Sequence, residues 1–266
     1  APAPAPTLGW GTAALLENIN DFNVAGTNTF ADAEVLTAID AAGNALGVWQ
    51  QSDGAPDGST RKVFSRRYVA GQGWAPAVAV PGLITSSSSV NLITGRLVMD
   101  AAGVATWVRH TFETRRYSAA GGWSATAFAP TTNVGEVMDA KLDAGGNLHT
   151  LAYGGGEVRY SRLPAGSSQW SAWAEVSVSN QNASPYTQLA LGQGGEVIAV
   201  WRERNPGDNN YSMKANRTVG GAWQTPVRIE EVLTNVYDEL PRIASDAAGN
   251  AIAAWHQGNF LYASRF

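Results

Sequence analysis

The 266-residue sequence has no cysteine. That removes disulfides, thiolate metal sites and cysteine nucleophiles together. Charge is also scarce: Asp, Glu, Lys and Arg make up 15% of the chain, against about 25% in an ordinary soluble domain. The formal net charge of −4 gives no basic footprint for nucleic acid or an anionic membrane surface. No apolar run approaches the roughly 18 residues of a membrane-crossing helix, so no membrane span is expected. No GxSxG, HExxH or P-loop pattern occurs, and the three histidines, His110, His149 and His256, lack ligand spacing. Ser52–Gly58 and Pro206–Asp208 read as ordinary turns, because they lack the alternating oxygen ligands of a calcium loop. No cofactor and no metal are implied.

What the chain does have is 29 glycines, 10 tryptophans and an internal repeat. Asp40-Ala41-Ala42-Gly43-Asn44 runs on to Trp49. It returns as Asp100-Ala101-Ala102-Gly103, as Asp143-Ala144-Gly145-Gly146-Asn147 and as Asp246-Ala247-Ala248-Gly249-Asn250, with a worn copy at Leu191–Glu196. The marker glycines stand at 43, 103, 146, 195 and 249, at intervals of 60, 43, 49 and 54. Such a period suits a propeller blade. Arginine-containing segments follow (Arg66-Arg67-Tyr68, Arg115-Arg116-Tyr117, Arg159–Arg162, Lys214–Arg217), each with a tryptophan after it at 74, 123, 170 or 223.

Each unit thus reads as four short antiparallel strands: an apolar run into the Asp turn, a strand ending near a Trp, a strand carrying arginine, and a strand opening on Gly-Trp. Pro76 and Pro226 fall on the fourth strand. Proline cannot donate to a ladder, so this strand should be outermost. The fifth unit stops at Arg265-Phe266 without a fourth strand. Gly9-Trp10, followed by Thr12–Leu16, resembles the missing piece. The expectation is an all-β, five-bladed β-propeller over residues 9–266, its last blade closed by the N-terminal strand. Residues 1–8 alternate Ala and Pro and should form an extended linker. A linker of this kind ahead of a cysteine-free β domain suits an exported protein (periplasmic, cell-surface or extracellular), tethered in one version by an upstream lipid.

These residues resemble a family of bacterial propeller repeats, mostly exported, of the form DAAGNAxAVW…RRY…GW. In size and blade count the chain is also similar to the five-bladed tachylectin-type lectins, which bind amino sugars. That second resemblance is architectural and transfers no site residue, since fold does not imply function.

The Asp turns are nearly uniform between units, whereas the loops at the opposite end differ in each. Loops on a rigid scaffold are where binding usually lives, so a ligand site is expected at the variable end. The residue after the strand-end tryptophan is Gln50, Arg202 or His256, with Tyr153 in the third unit and Arg109 or His110 in the second. Asp139, Tyr186 and Tyr237 edge the same opening. The plainer reading makes these positions solvated strand ends. The arginines of the third strand should stack on tryptophan or pair with the turn Asp. The in-register tryptophans should be core, leaving Trp107 and Trp173 less constrained. The leading function is a non-catalytic, monomeric binding module for a carbohydrate or other small polar ligand. The alternatives are a glycan-cleaving enzyme, drawing on Asp32, Glu34, Glu136, Asp139, Asp238 or Glu239, and a surface-protein scaffold.

Overall fold

The computed structural model describes residues 13, 16, 35–52, 60–86, 91–125, 135–178, 183–205, 211–230, 241–246 and 248–266. They form five separate antiparallel sheets and a single 3-10 turn, Gln193–Gly195. Sheet one is β1 (Leu36–Ile39), β2 (Ala45–Ser52), β3 (Arg61–Val69) and an outer strand in two pieces, β4 (Gly73–Trp74) and β5 (Val78–Thr85). Sheet two is β6 (Arg96–Met99), β7 (Ala105–Val108), β8 (Thr114–Ser118) and β9 (Gly122–Trp123). Sheet three is β10 (Glu136–Leu142), β11 (Leu148–Gly154), β12 (Glu157–Leu163) and β13 (Ala174–Glu175). Sheet four is β14 (Ala183–Leu191), β15 (Val197–Arg204), β16 (Tyr211–Val219), β17 (Ala222–Trp223) and β18 (Val227–Arg228). Sheet five is β19 (Arg242–Ser245), β20 (Ala251–Gln257) and β21 (Phe260–Arg265).

The outer strand breaks around Pro76 in sheet one and Pro226 in sheet four, as a residue without an N–H requires. The inner strands contact one another in chain order: β1 with β6, β6 with β10, β10 with β14, β14 with β19. This is a propeller-type, all-β arrangement. Apart from Ala13 and Leu16, the expected closing strand lies outside the described residues, as does Trp10.

The Asp turn explains its own repetition. Asp143 Oδ1 accepts the N–H groups of Gly145 and Asn147, each at 2.9 Å, while both carboxylate oxygens accept the Asn147 amide. Asp40 and Asp246 make the same turn with Asn44 and Asn250, and Asp100 makes the backbone part of it. Asn44 and Asn147 also accept an N–H from the next turn of their sheets, at Ala70 and Ala165, each at 3.1 Å. Asp plus Asn therefore ties both turns at one end of the sheet.

The core lies between sheets. Leu46, Val48 and Val80 of sheet one meet Leu97 and Trp107 of sheet two, and equivalent clusters join two to three, three to four and four to five. Burying such side chains yields about 25 cal/mol per Å². Trp107, expected to be less constrained, is fully buried beside Trp123, and Trp173 packs edge-on against Phe112. Among the third-strand arginines, Arg116 feels the charge of the turn carboxylate Asp100. Arg116 donates to the carbonyls of Pro164 and Ser167 in sheet three, Arg66 to that of Ala75, and Arg159 pairs with Glu157. The planar guanidinium of Arg116 reaches turn carbonyls, sharing that of Pro164 with the Ser167 N–H.

Candidate functional site

At the end of the sheets opposite the Asp turns, the structure brings the expected residues together in two groups and leaves others apart. In the first group, His110 sits on the tight β7–β8 hairpin, where Phe112 adopts φ 65° and Arg109 and Phe112 close the turn. Its carbonyl accepts the Val137 N–H at 3.1 Å, and its Nδ1 lies 3.9 Å from the Glu136 carboxylate. Glu136 pairs across the sheet with Tyr153, which packs on the cluster between sheets three and four.

The second group is in sheet four. The Arg202 guanidinium lies between two rings, 4.7 Å from the centroid of Tyr186 and 4.3 Å from that of Tyr211. Both tyrosines are half-buried and Arg202 is 7% exposed. Such stacking strengthens as water is excluded. The sequence reading missed Tyr211. Its signal was its place at the start of the arginine-bearing strand, directly opposite Arg204.

Asp139 lies at the inner strand, following a bulge between Val137 and Asp139. It is 3% exposed. One oxygen accepts its own neighbour's N–H, from Ala140 at 2.9 Å, and the other accepts Leu189 N–H of β14 at 3.0 Å. Arg96 of sheet two and Lys141 approach at 3.8 and 3.9 Å. This carboxylate joins three sheets, with one backbone N–H held on each oxygen.

Gln50 accepts the Leu92 N–H at 2.7 Å and is 8% exposed. Gln50 and Arg202 are therefore not solvated strand ends. Gln50 faces the connection to the next sheet, where backbone needs partners, and Arg202 is covered by two rings of its own sheet. His256 is half-buried in sheet five, opposite Leu261. Tyr237 lies outside the described residues, as do Asp32, Glu34, Asp238 and Glu239.

A repeated buried feature stands one residue further along. Trp49, Trp201 and Trp255 donate their indole N–H to Gln51, Glu203 and Gln257 at 2.6, 2.9 and 3.3 Å. Burial pushes the Glu203 carboxyl above its usual range, against the opposing pull of Trp201 and Lys214. Because glutamine does the same work in two other sheets, Glu203 serves as an indole acceptor. A further buried cluster, Glu113 held by Arg109 and Arg115, braces the β7–β8 hairpin against Pro81 of sheet one. Among the described residues no group of three or more His, Asp or Glu is arranged to hold a metal, and no helix is long and apolar enough to cross a membrane.

No family model and no curated protein matches the sequence. Among solved structures, the chain is similar to the hydrazine synthase of Kuenenia stuttgartiensis, with 9% identity and a TM-score of 0.54 over 86% of this chain and 79% of that one. It is similar to a protein from Lactobacillus plantarum, with 13% identity and a TM-score of 0.50 over 88% and 67%. The NanB sialidase of Streptococcus pneumoniae aligns at 9% identity and a TM-score of 0.47, covering 86% of this chain and 57% of that one. The chain thus spans a little over half the length of that sialidase. At these identities the likeness is one of fold, and the fold it supports is of propeller type.

Proposed function

We propose that this chain is a five-bladed, exported binding module that holds a carbohydrate or similar polar ligand at its variable end. The observation that carries this reading is the set of aromatic and hydrogen-bonding side chains gathered there: His110 and Glu136 on the seam of sheets two and three, Tyr153 on that of three and four, and the Tyr186–Arg202–Tyr211 stack in sheet four. Half-buried tyrosines present a flat apolar face with a polar edge, and stacking fixes their rotamers before a ligand arrives. Pre-organisation of this kind lowers the entropic cost of binding. The buried acids of this end are committed: Asp139 and Glu230 to backbone N–H groups, Glu230 also to Arg228, and Glu203 to an indole. That favours holding a ligand over cleaving one.

A glycan array probed with the purified domain tests the reading. Retention of a defined glycan class by the parent, weakened at least tenfold in Tyr211→Ala and His110→Ala, is the expected result. An array with no signal above background removes carbohydrate as the ligand. Turnover of any glycan replaces the binder with the enzyme.

A further inference from the structure

Between sheets four and five lies a cavity of about 440 Å³, lined by Ile198, Val200, Ala215, Ile243, Ala253 and Phe266 among others. We propose that this cavity is the seat of Gly9–Leu16 of the same chain, with Trp10 in it opposite Phe266. The inference rests on the five-bladed reading and adds a register to it.

The other sheets supply that register. In sheets one to four the residue after the outer-strand tryptophan (Ala75, Ser124, Ser171, Gln224) donates its N–H to the carbonyl of an arginine on the third strand (Arg67, Arg116, Arg162, Arg217), at 2.7–3.0 Å. Arg265 holds the same place on β21, so Gly11 is its donor. One residue on, Trp74, Trp123 and Trp223 pair with Tyr68, Tyr117 and Thr218. Phe266, which exchanges backbone hydrogen bonds with Ala251, takes that place in sheet five.

The tryptophans of sheets two and four also cover the preceding sheet at matching positions. Trp123 donates to Ser65, which is opposite Val48, and Trp223 packs edge-on against Tyr160, which is opposite Leu151. Ala215, opposite Val200, is the equivalent position in sheet four, and it lines the cavity. A methyl group there leaves room for an indole.

Leu16 is the independent observation. Six residues after Trp74, Trp170 and Trp223 come Val80, Val176 and Ile229. These share apolar clusters with the third residue of the next sheet's second strand, Trp107, Ala199 and Ala253. Leu16 stands six residues after Trp10. Its Cδ1 lies 3.8 Å from where a Cβ on Gly47, the third residue of β2, would be. The apolar surface of sheet five fits the same occupant: Ile252, Phe260, Leu261 and Phe266 are 52–84% exposed, and β21 is its outer strand among the described residues.

A strand seated this way enters at the Asp-turn end. Whatever precedes residue 9 is carried there, and the variable end points away from it.

The Trp–Tyr pairs of sheets one and two are of the narrow, non-hydrogen-bonded type, whose spacing accepts a disulfide. In a chain without native cysteine, Trp10→Cys with Phe266→Cys should form an intrachain disulfide in the oxidised monomer. Trp10→Cys with Tyr68→Cys should not. A bond joining two chains overturns the proposal in favour of a second copy's strand. Folded protein whose thiols stay free, or link to position 68, overturns it outright. Hydrogen exchange on the unaltered protein gives a second reading: the Gly11 amide should exchange as slowly as that of Ser124, and exchange at the free-peptide rate overturns the proposal. The glycan array reports on the ligand alone, so either reading can fail without the other.

Discussion

The two ends of the sheets solve the same problem in different ways. At the Asp-turn end a single five-residue device satisfies its own backbone in four of the five sheets. At the other end each sheet has its own answer: Gln50 reaches forward to Leu92, Glu113 locks a hairpin through two arginines, Asp139 spans to β14, and Arg202 lies between two rings. Uniformity in a repeat therefore marks chemistry that is local and self-contained. Variability marks contacts that differ from sheet to sheet, some within a sheet and some to its neighbour, and much of it is structural. A ligand site at the variable end has to be sought among the side chains left over from that duty.

Glycine substitutions give the largest expected effect and put the comparison under most strain. Gly135 opens β10 at the variable end with φ +89°, and a Cβ there would stand 1.7 Å from the Tyr153 carbonyl oxygen. Gly146, in the repeated turn, also has positive φ (+76°), but a Cβ would meet nothing nearer than Ala165 at 3.6 Å. Gly135→Ala should cost more than about 4 kcal/mol, because backbone must move. Gly146→Ala should cost about 1–2 kcal/mol for the left-handed conformation alone. Urea unfolding of both variants checks the order. Equal losses would mean that the Asp turn carries more of the fold than its hydrogen bonds imply.

The second test lies within the repeated end, where sheet three departs from its copies. His149 Nε2 is 3.1 Å from Asp143 and its Nδ1 is 2.8 Å from the Tyr160 hydroxyl. A carboxylate only accepts, so Nε2 carries the proton and Nδ1 accepts from tyrosine. Burial pushes the His149 pKa down despite Asp143, and pushes that of Tyr160 up to about 12. Burial opposes charge on Asp143 as well, but hydrogen bonds from Asn147 and His149 outweigh it and hold its carboxyl below the usual range. A histidine whose folded pKa is depressed takes up its proton in the unfolded chain first. Stability should therefore fall as pH drops below about 6.5, by at most about 1.4 kcal/mol per pH unit. The Asp143 contribution is present above about pH 4 and fades below it. His149→Gln, which keeps a donor and an acceptor, should flatten the profile between pH 6.5 and 5. An unchanged slope would place the sensitivity elsewhere.

The regular part of this molecule was legible in its sequence because it is written in local chemistry. Asp, Gly and Asn at fixed offsets name a turn, and Pro76 marks an outer strand without reference to anything distant. The variable end was legible only as a place. That His110, Tyr153, Tyr186 and Arg202 lie there followed from strand order. That Gln50 holds Leu92 and that Asp139 serves β14 depend on neighbouring sheets, and that Arg202 meets two rings depends on its own sheet's pairing, none of which a period reveals. The indole acceptors Gln51, Glu203 and Gln257 did recur visibly at Trp+2.

The smallest expected effect separates ligand duty from structural duty at the variable end. Arg202 is a poor probe for this, since removing it unstacks two tyrosines. His110 is better. Its side chain is 36% exposed, its 3.9 Å approach to Glu136 is that of a weak surface pair, and the Glu136 side chain is 67% exposed. The hairpin beneath it is held by backbone bonds and by Glu113, not by the imidazole. His110→Ala should therefore change stability by less than about 0.5 kcal/mol, measured as the urea midpoint. Any change in glycan retention by that variant then reports on contact with the ligand. A tenfold loss of retention at an unmoved midpoint would make the seam between sheets two and three the working part of the variable end. Unaltered retention would move the site to sheet four and its stacked tyrosines.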